Sequence, residues 1–136
     1  MLDEMIDRAL RVRSHAHAPY SGFHVGACLR SESGVLYAGC NVENAAYPQG
    51  QCAEASAIGV MVAAGDRRIV EVVVVAEGER LCTPCGGCRQ KLSEFGAPAT
   101  PVHVCNPKGV RETFTLGELL PHGFGPANLE SPEALK

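Results

Sequence analysis

The sequence lacks long apolar segments, and no stretch approaches the roughly 20 apolar residues of a membrane-spanning helix. It also lacks a leader-like N-terminus, because residues 1–13 carry acidic side chains and no extended apolar run. Both absences argue against a membrane or secreted protein. The expectation is a cytoplasmic protein with no membrane partner.

Basic residues are too few for a typical nucleic-acid-binding surface. The chain has 12 Lys and Arg against 15 Asp and Glu, for a formal net charge of −3. A polynucleotide partner normally requires a basic face that neutralises phosphates. The composition therefore predicts no nucleic-acid partner and favours a small, uncharged substrate.

The seven cysteines do not indicate a disulfide framework. Their number is odd, no secretory signal accompanies them, and 136 residues can bury a hydrophobic core without covalent staples. We therefore expect reduced thiols, some of them bound to a metal.

The length and the apolar periodicity predict one domain over residues 1–136, with a loose C-terminal tail from about residue 125. Helical patterns alternate with buried strand patterns, which is typical of an α/β fold. We expect a three-layer αβα sandwich around a mixed, about five-stranded sheet, since the first two strands read as a hairpin. Helices are predicted over 2–16, 51–64, 85–95 and 116–120, and strands over 23–29, 35–42, 69–76, 102–105 and 110–115.

The most informative motif is Cys52 with Glu54 two residues later, followed by Pro84, Cys85 and Cys88. Three thiolates leave the fourth position of a tetrahedral zinc open, as in catalytic zinc sites, whereas structural sites are normally closed by four protein ligands. The same spacing, with a carboxylate that is not a ligand, marks the zinc nucleobase deaminases. Cys52, Cys85 and Cys88 are therefore the predicted ligands of one Zn²⁺, and Glu54 is the predicted general acid and base.

Both ligand segments fall at predicted helix N-termini, with Cys52 in the first turn of its helix, and free backbone N–H groups there favour thiolate over thiol. Simpler readings exist for the same residues. Glu54 could be a first-turn carboxylate that merely complements the helix dipole, and the cysteines could be buried thiols. Cys82 adds a further alternative, because Cys82, Cys85 and Cys88 could serve a closed zinc site or an iron–sulfur cluster.

Three further motifs stand in order around the zinc signature: PYSGFHVGA at 19–27, NVENAAY at 41–47 and CGGCRQ at 85–90. Together they resemble the small, homotetrameric type of cytidine deaminase, from the first helix to about Leu129. The resemblance implies hydrolysis of cytidine and 2′-deoxycytidine to uridine and 2′-deoxyuridine in pyrimidine salvage. It also implies one zinc ion per chain, Glu54 as the proton carrier, and a homotetramer with shared active sites.

The resemblance further implies the substrate contacts. Asn41 and Glu43 match residues that hold the ribose hydroxyls, a role that suits an amide and a carboxylate. Without the resemblance, both would read as polar residues capping the end of a strand. The other implied contacts are Phe23 against the nucleoside, backbone groups near Ala53 and Cys85 at the base edge, Tyr47 supporting subunit contacts, and Phe124 contributed by a neighbouring subunit.

One position departs from the family pattern. An Arg often follows the catalytic Glu and hydrogen-bonds the zinc thiolates, but this chain has Ala55 and then Ser56. We expect other donors, backbone amides or Ser56, to offset the thiolate charge, and Ala55→Arg to alter turnover.

Two other functions stay open at this point. The first is deamination of a related aminopyrimidine nucleoside, which the pair of predicted ribose contacts disfavours. The second is a non-catalytic module that holds structural zinc or an iron–sulfur cluster.

Overall fold

Five strands form one mixed sheet in the order β2-β1-β3-β4-β5. The computed structural model describes residues 1–129. Only β3 and β4 run parallel, while the remaining neighbours are antiparallel. The elements are α1 Leu2–Arg13, β1 Gly26–Ser31, β2 Leu36–Cys40, α2 Ala53–Ala63, β3 Ile69–Val75, α3 Gly86–Phe95, β4 Pro101–Asn106, β5 Gly109–Thr115 and α4 Leu116–Leu119.

Helices cover both faces of the sheet. Side chains alternate along a strand, so Val72 and Val74 belong to the core beneath α2 and α3, whereas Val73 and Val75 face α1. All four valines are fully buried, which explains why β3 is apolar nearly throughout. The predicted αβα sandwich with a mixed, five-stranded sheet is confirmed.

Helix α2 lies directly on β2, where a glycine permits close approach. A Cβ atom at Gly39 would lie 2.4 Å from the backbone nitrogen of Ala57. No side chain fits at that distance, so Gly39 sets how deeply α2 sits on the sheet. This contact helps to fix the N-terminus of α2 at the edge of the sheet, where Cys52 precedes the helix.

Two predicted boundaries are wrong by three residues, and the others differ by at most two. The first strand begins at Gly26 because the Asn41 side chain, and not the backbone of a neighbouring strand, bonds the residues before it. Its Oδ1 accepts from the Val25 N–H and its Nδ2 donates to the Phe23 carbonyl. Helix α1 ends at Arg13, and the Ser14 hydroxyl donates to the Arg11 carbonyl at 2.6 Å.

The C-terminal end is only partly described. Residues Pro126–Asn128 form a short 3₁₀ turn, and residues 130–136 of the predicted tail lie outside the described residues. The assignment of 1–136 to a single domain stays a prediction. Over residues 1–129, no helix combines the length and apolar character that crossing a bilayer requires.

A polar chain crosses the sheet on the side of α1. Arg30 on β1 donates to Glu71 on β3 at 2.9 and 3.1 Å, and the other Glu71 oxygen lies 2.7 Å from His103 on β4. His103 also contacts the Thr113 hydroxyl at 2.8 Å. Burial raises the pKa of Glu71, but the hydrogen bonds from Arg30 and His103 outweigh it, so the pKa lies below its ordinary value of 4.5.

This lowered pKa predicts a pH-dependent contribution to stability. The ionised Glu71 stabilises the folded state above the ordinary pKa, and the contribution is lost as the pH falls through the folded-state value. We expect Glu71→Gln to lower the free energy of unfolding by about 1–3 kcal/mol at pH 7, and the difference from the parent to shrink towards pH 3. Urea denaturation at both pH values measures this difference in the free energy of unfolding. A difference that stays constant with pH would contradict the stabilising role of the ionised Glu71.

Candidate active site

Three thiols meet where α2 and α3 begin. Cys52 is the N-cap of α2, Cys85 is the N-cap of α3, and Cys88 lies in the first turn of α3. The prediction placed Cys52 inside the helix, but its extended backbone, with ψ of 157°, puts it one residue before the first helical turn. Cys85 is exposed and Cys88 is buried, so the group opens on one side to the surface.

The three sulfur atoms fit a zinc ion. All lie within 4.8 Å of one another, and the Cys52 and Cys85 sulfurs are 3.7 Å apart. Tetrahedral zinc with Zn–S bonds of ~2.3 Å requires sulfurs ~3.8 Å apart. Within residues 1–129, Cys82 is not a member of this metal-binding group. The C-x-x-C-x-x-C spacing therefore does not bring Cys82 into a closed site with four thiol ligands.

The thiols have unequal proton affinities. A hydrogen bond from the Cys88 thiol is the main reason that the pKa of Cys52 falls to about 6, against an opposing effect of burial. The same hydrogen bond, together with burial, raises the pKa of Cys88. Burial raises the pKa of Cys82 to about 11. Of Cys52, Cys82 and Cys88, Cys52 is therefore the thiol most ready to ionise, and Cys82 stays a neutral thiol near neutral pH.

Glu54 lies in the first turn of α2 and is only 4% exposed. Its pKa is raised to about 7, mainly by burial and in part by the nearby Cys52, against the opposing effects of its own backbone N–H, the Cys88 thiol and Lys91. A carboxyl group with a pKa near neutrality can both accept and donate a proton at physiological pH.

A cleft of about 220 Å³ opens above the thiols. Its lining includes three of the predicted substrate contacts, Phe23, Asn41 and Ala53, together with Glu54. The volume is below the ~300–1,000 Å³ of ordinary ligand sites. The cleft of a single chain is thus smaller than a typical site for a drug-sized ligand.

Glu43 lies outside that lining. Its carboxylate accepts from the backbone N–H groups of Tyr20 and Ser21 at 3.0 and 3.1 Å and from the Ser21 hydroxyl. The hydroxyl bond is the main cause of its lowered pKa. Glu43 lines a separate cavity with Tyr47, whose ring packs edge-on against Tyr20 at a centroid distance of 5.8 Å. The carboxylate is ionised and anchored beside an exposed aromatic pair.

Comparison with known proteins places the site in a family. Residues 1–104 match the zinc-binding region of cytidine and deoxycytidylate deaminases. The chain belongs to this deaminase family. It is 41% identical over 128 residues to cytidine deaminase from Sporosarcina psychrophila, covering 94% of each chain, and 39% identical over 120 residues to that from Halalkalibacterium halodurans, covering 88% of this chain and 91% of the relative.

Solved structures of the family agree with the fold. The crystal structure of cytidine deaminase from Burkholderia pseudomallei superposes with a TM-score of 0.86 at 40% identity, covering 91% of this chain and 99% of that one. The enzyme from Mycobacterium leprae gives 0.77 at 39% identity, covering 88% and 97%. The protein is therefore an enzyme of the deaminase family, and zinc is the metal that its thiol site takes.

Phe124 does not line the cleft of its own chain in this deaminase. It is 56% exposed and lines another cavity, formed by α3, α4 and the segment that follows them. Gln90 on α3 holds this segment by donating to the Phe124 carbonyl at 2.8 Å. The ring is therefore presented outward from a fixed backbone.

The lining of the deaminase cleft includes residues that the sequence analysis did not select as substrate contacts, although it considered Cys82 as an alternative metal ligand. Val25, Cys82 and Thr83 line the cleft, and Arg89 ties Thr83 and the Pro84 carbonyl to α3. Thr83 and Arg89 flank the C-x-x-C motif, so their position beside two ligands is the signal that could have identified them. Val25 lies in the PYSGFHVGA motif at 19–27, but an apolar residue beside a strand is too common for its type alone to indicate a site.

Proposed function

We propose that this enzyme hydrolyses cytidine and 2′-deoxycytidine to uridine and 2′-deoxyuridine with release of ammonia, as in pyrimidine salvage. The observation that carries the proposal is a carboxyl group, Glu54, buried in the same cleft as three thiols at zinc-binding distances. The names of the related cytidine deaminases support the nucleoside as substrate.

The proposed roles follow from the chemistry of each group. Cys52, Cys85 and Cys88 hold the metal, and bound zinc supplies a Lewis acid that makes water acidic enough to attack at neutral pH. Glu54 takes a proton from the attacking water and delivers it to N3 of the cytosine ring. Glu54 then takes the second proton of the added water from the new C4 hydroxyl and gives it to the amino nitrogen as the bond from that nitrogen to C4 breaks. One water is consumed, ammonia leaves, and Glu54 returns to its ionised form.

The walls of the cleft supply the proposed substrate contacts. Asn41 uses one lone pair and one N–H in the fold, which leaves one acceptor and one donor for a ribose hydroxyl. Phe23 offers a ring that is 44% exposed, and Ala53 brings backbone groups to the base edge. Glu43 is proposed as the second ribose contact, from its anchored position beside Tyr20.

The fall in ultraviolet absorbance of cytidine with purified, zinc-loaded protein tests the substrate. We expect turnover of cytidine and deoxycytidine and release of one ammonia per base. A zinc-loaded protein inert towards both would contradict the proposed substrate while leaving the family assignment in place, and other aminopyrimidine nucleosides would then be assayed.

We also propose a cytoplasmic homotetramer with shared sites. A site of three reduced thiols suits a reducing compartment. Helix α2 is apolar almost throughout, yet Val60 on its outer side is 49% exposed. Outside this helix, the aromatic side chains of Tyr47 and Phe124 are also exposed, by 74% and 56%. These exposed side chains are available for contacts with neighbouring chains, and the homotetrameric type of cytidine deaminase that the sequence resembles supports such an assembly.

Mixing two inactive variants tests the shared site. Glu54→Gln lacks the proton carrier and Phe124→Ala lacks the proposed neighbouring wall. In assemblies refolded from equal amounts, a site that combines Glu54 of one chain with Phe124 of the next arises by chance about one time in four. We therefore expect about a quarter of the parent activity.

The control is each variant refolded alone, which is expected to stay near its own background. If mass spectrometry shows mixed assemblies and the activity of the mixture is only the average of the two variants, the proposal that Phe124 completes a neighbouring site is wrong.

A further inference from the structure

The zinc site carries an excess of negative charge. Three thiolates around Zn²⁺ have a formal charge of −1, and the ionised form of the buried Glu54 adds another. Excess charge makes the metal a poorer Lewis acid and is costly to bury without a partner. Ala55 offers no cation, and the Ser56 hydroxyl accepts from the Gln51 side chain at 3.2 Å.

Arg89 is the cation nearest to the ligands in sequence, but its guanidinium group donates hydrogen bonds to oxygen atoms and not to the thiols. Its Nε donates to the Pro84 carbonyl at 2.7 Å, its Nη1 to the Leu119 carbonyl and its Nη2 to the Thr83 hydroxyl, both at 3.0 Å. Each of the three nitrogens thus has an oxygen partner. Arg89 holds the loop before Cys85 and does not supply the missing charge to the thiolates.

Lys91 stands in a different position on the same helix. It follows Cys88 by three residues, so both lie on one side of α3, and its side chain runs back towards the start of the helix. A methyl group placed on Gly87, between the two ligands of α3, would lie 3.7 Å from the Lys91 ammonium. The cation therefore sits over the ligand-bearing turn.

The ammonium is also close to the start of the other helix. The Cys52 sulfur, which precedes α2, lies 3.7 Å from the Cys85 sulfur at the start of α3, and all three sulfurs lie within 4.8 Å of one another. A cation over the first turn of α3 is therefore near ligands from both helices that form the site.

We propose that Lys91 is the residue that offsets the negative charge of the zinc thiolates in this chain. It acts through the ligands and the metal, without touching the substrate. The inference rests on the proposed zinc site, and Lys91 keeps the three-thiolate metal tightly bound where Ala55 cannot.

Zinc affinity, measured by competition with a chelator and without substrate, tests the proposal. Lys91→Met removes the charge and keeps much of the side-chain length, while Lys108→Met makes the same charge change in the exposed β4–β5 turn. We expect the zinc Kd to rise roughly tenfold for Lys91→Met at low salt and to stay unchanged for Lys108→Met. In 1 M salt, where the Debye length is about 3 Å, the difference from the parent should largely disappear.

Two additional variants separate charge from packing. Lys91→Arg should retain the parent affinity, and Ala55→Arg introduced into Lys91→Met should restore much of it, because a cation returns near the ligands from α2. Should Lys91→Met be poorly folded, Lys91→Gln takes its place. In the cobalt-substituted proteins, the thiolate-to-metal charge-transfer band should shift in Lys91→Met and return towards its parent position in Lys91→Arg.

Equal zinc affinity of the Lys91→Met and Lys108→Met proteins would overturn the proposal. So would a loss of affinity that is the same in 1 M salt, since that result would indicate packing. A parent protein that binds no zinc at all would overturn the proposed metal site itself, and the two failures are therefore distinguishable.

Discussion

Replacing Glu54 by glutamine is expected to lower kcat for cytidine by roughly 10²–10⁴-fold while the protein keeps its fold and its zinc. The amide has nearly the shape of the carboxyl group but cannot carry a proton between water and substrate. Because the side chain is only 4% exposed and the amide is neutral, the change brings no buried charge. The loss should therefore appear in kcat, measured by cytidine absorbance, with zinc content determined on the same samples.

Glu112→Gln provides the matched control, because it makes the same chemical change on the exposed outer strand β5. It should retain the parent kcat. A Glu54→Gln protein that binds a full complement of zinc and keeps kcat within tenfold of the parent would show that another group moves the proton. Loss of zinc from Glu54→Gln would instead assign Glu54 to holding the metal site.

The sequence predicted those parts of the fold that depend on local patterns. The apolar run of β3 identified a central strand, since both of its faces are buried. Gly65, with φ of 98°, follows the end of α2 in the left-handed conformation, for which glycine is the common residue after a helix. Cys52, Glu54, Cys85 and Cys88 were identifiable because their spacing reflects the geometry of the metal, which does not change with the surroundings.

Features that depend on contacts between distant segments could not be predicted. The side chain of Asn41 hydrogen-bonds Val25 in place of a neighbouring strand. The alternation of apolar and polar residues along the sequence does not indicate such a contact between a side chain and the backbone. The sequence likewise puts Lys91 one turn after Cys88. It could not show that Lys91 lies near Cys52, which precedes α2, because that proximity depends on how the N-termini of the two helices meet. Phe124 does not line the cleft of its own chain, and a contact that it makes with a neighbouring chain is not visible in a single chain.

Replacing Cys88 by serine is expected to weaken zinc binding by at least about 100-fold, because changes to groups behind the ligands alone cost about 10–100-fold. Cys88 is fully buried and belongs to the three-thiol group, so serine leaves a hydroxyl that zinc binds poorly in place of a thiolate. Activity should fall with the metal. The melting temperature should fall as well, since a ligand that binds only the folded state stabilises it by mass action.

Cys82→Ser is the informative comparison, because the sequence alone allowed Cys82 to be a ligand. Its thiol is half-buried, packs against the core beneath α2 and α3, and lies outside the metal-binding group. We expect this variant to keep its zinc and to lose at most a small part of its stability. If Cys82→Ser loses zinc as completely as Cys88→Ser, the metal is held by four thiolates with no open position, and Glu54 would have no water to act upon.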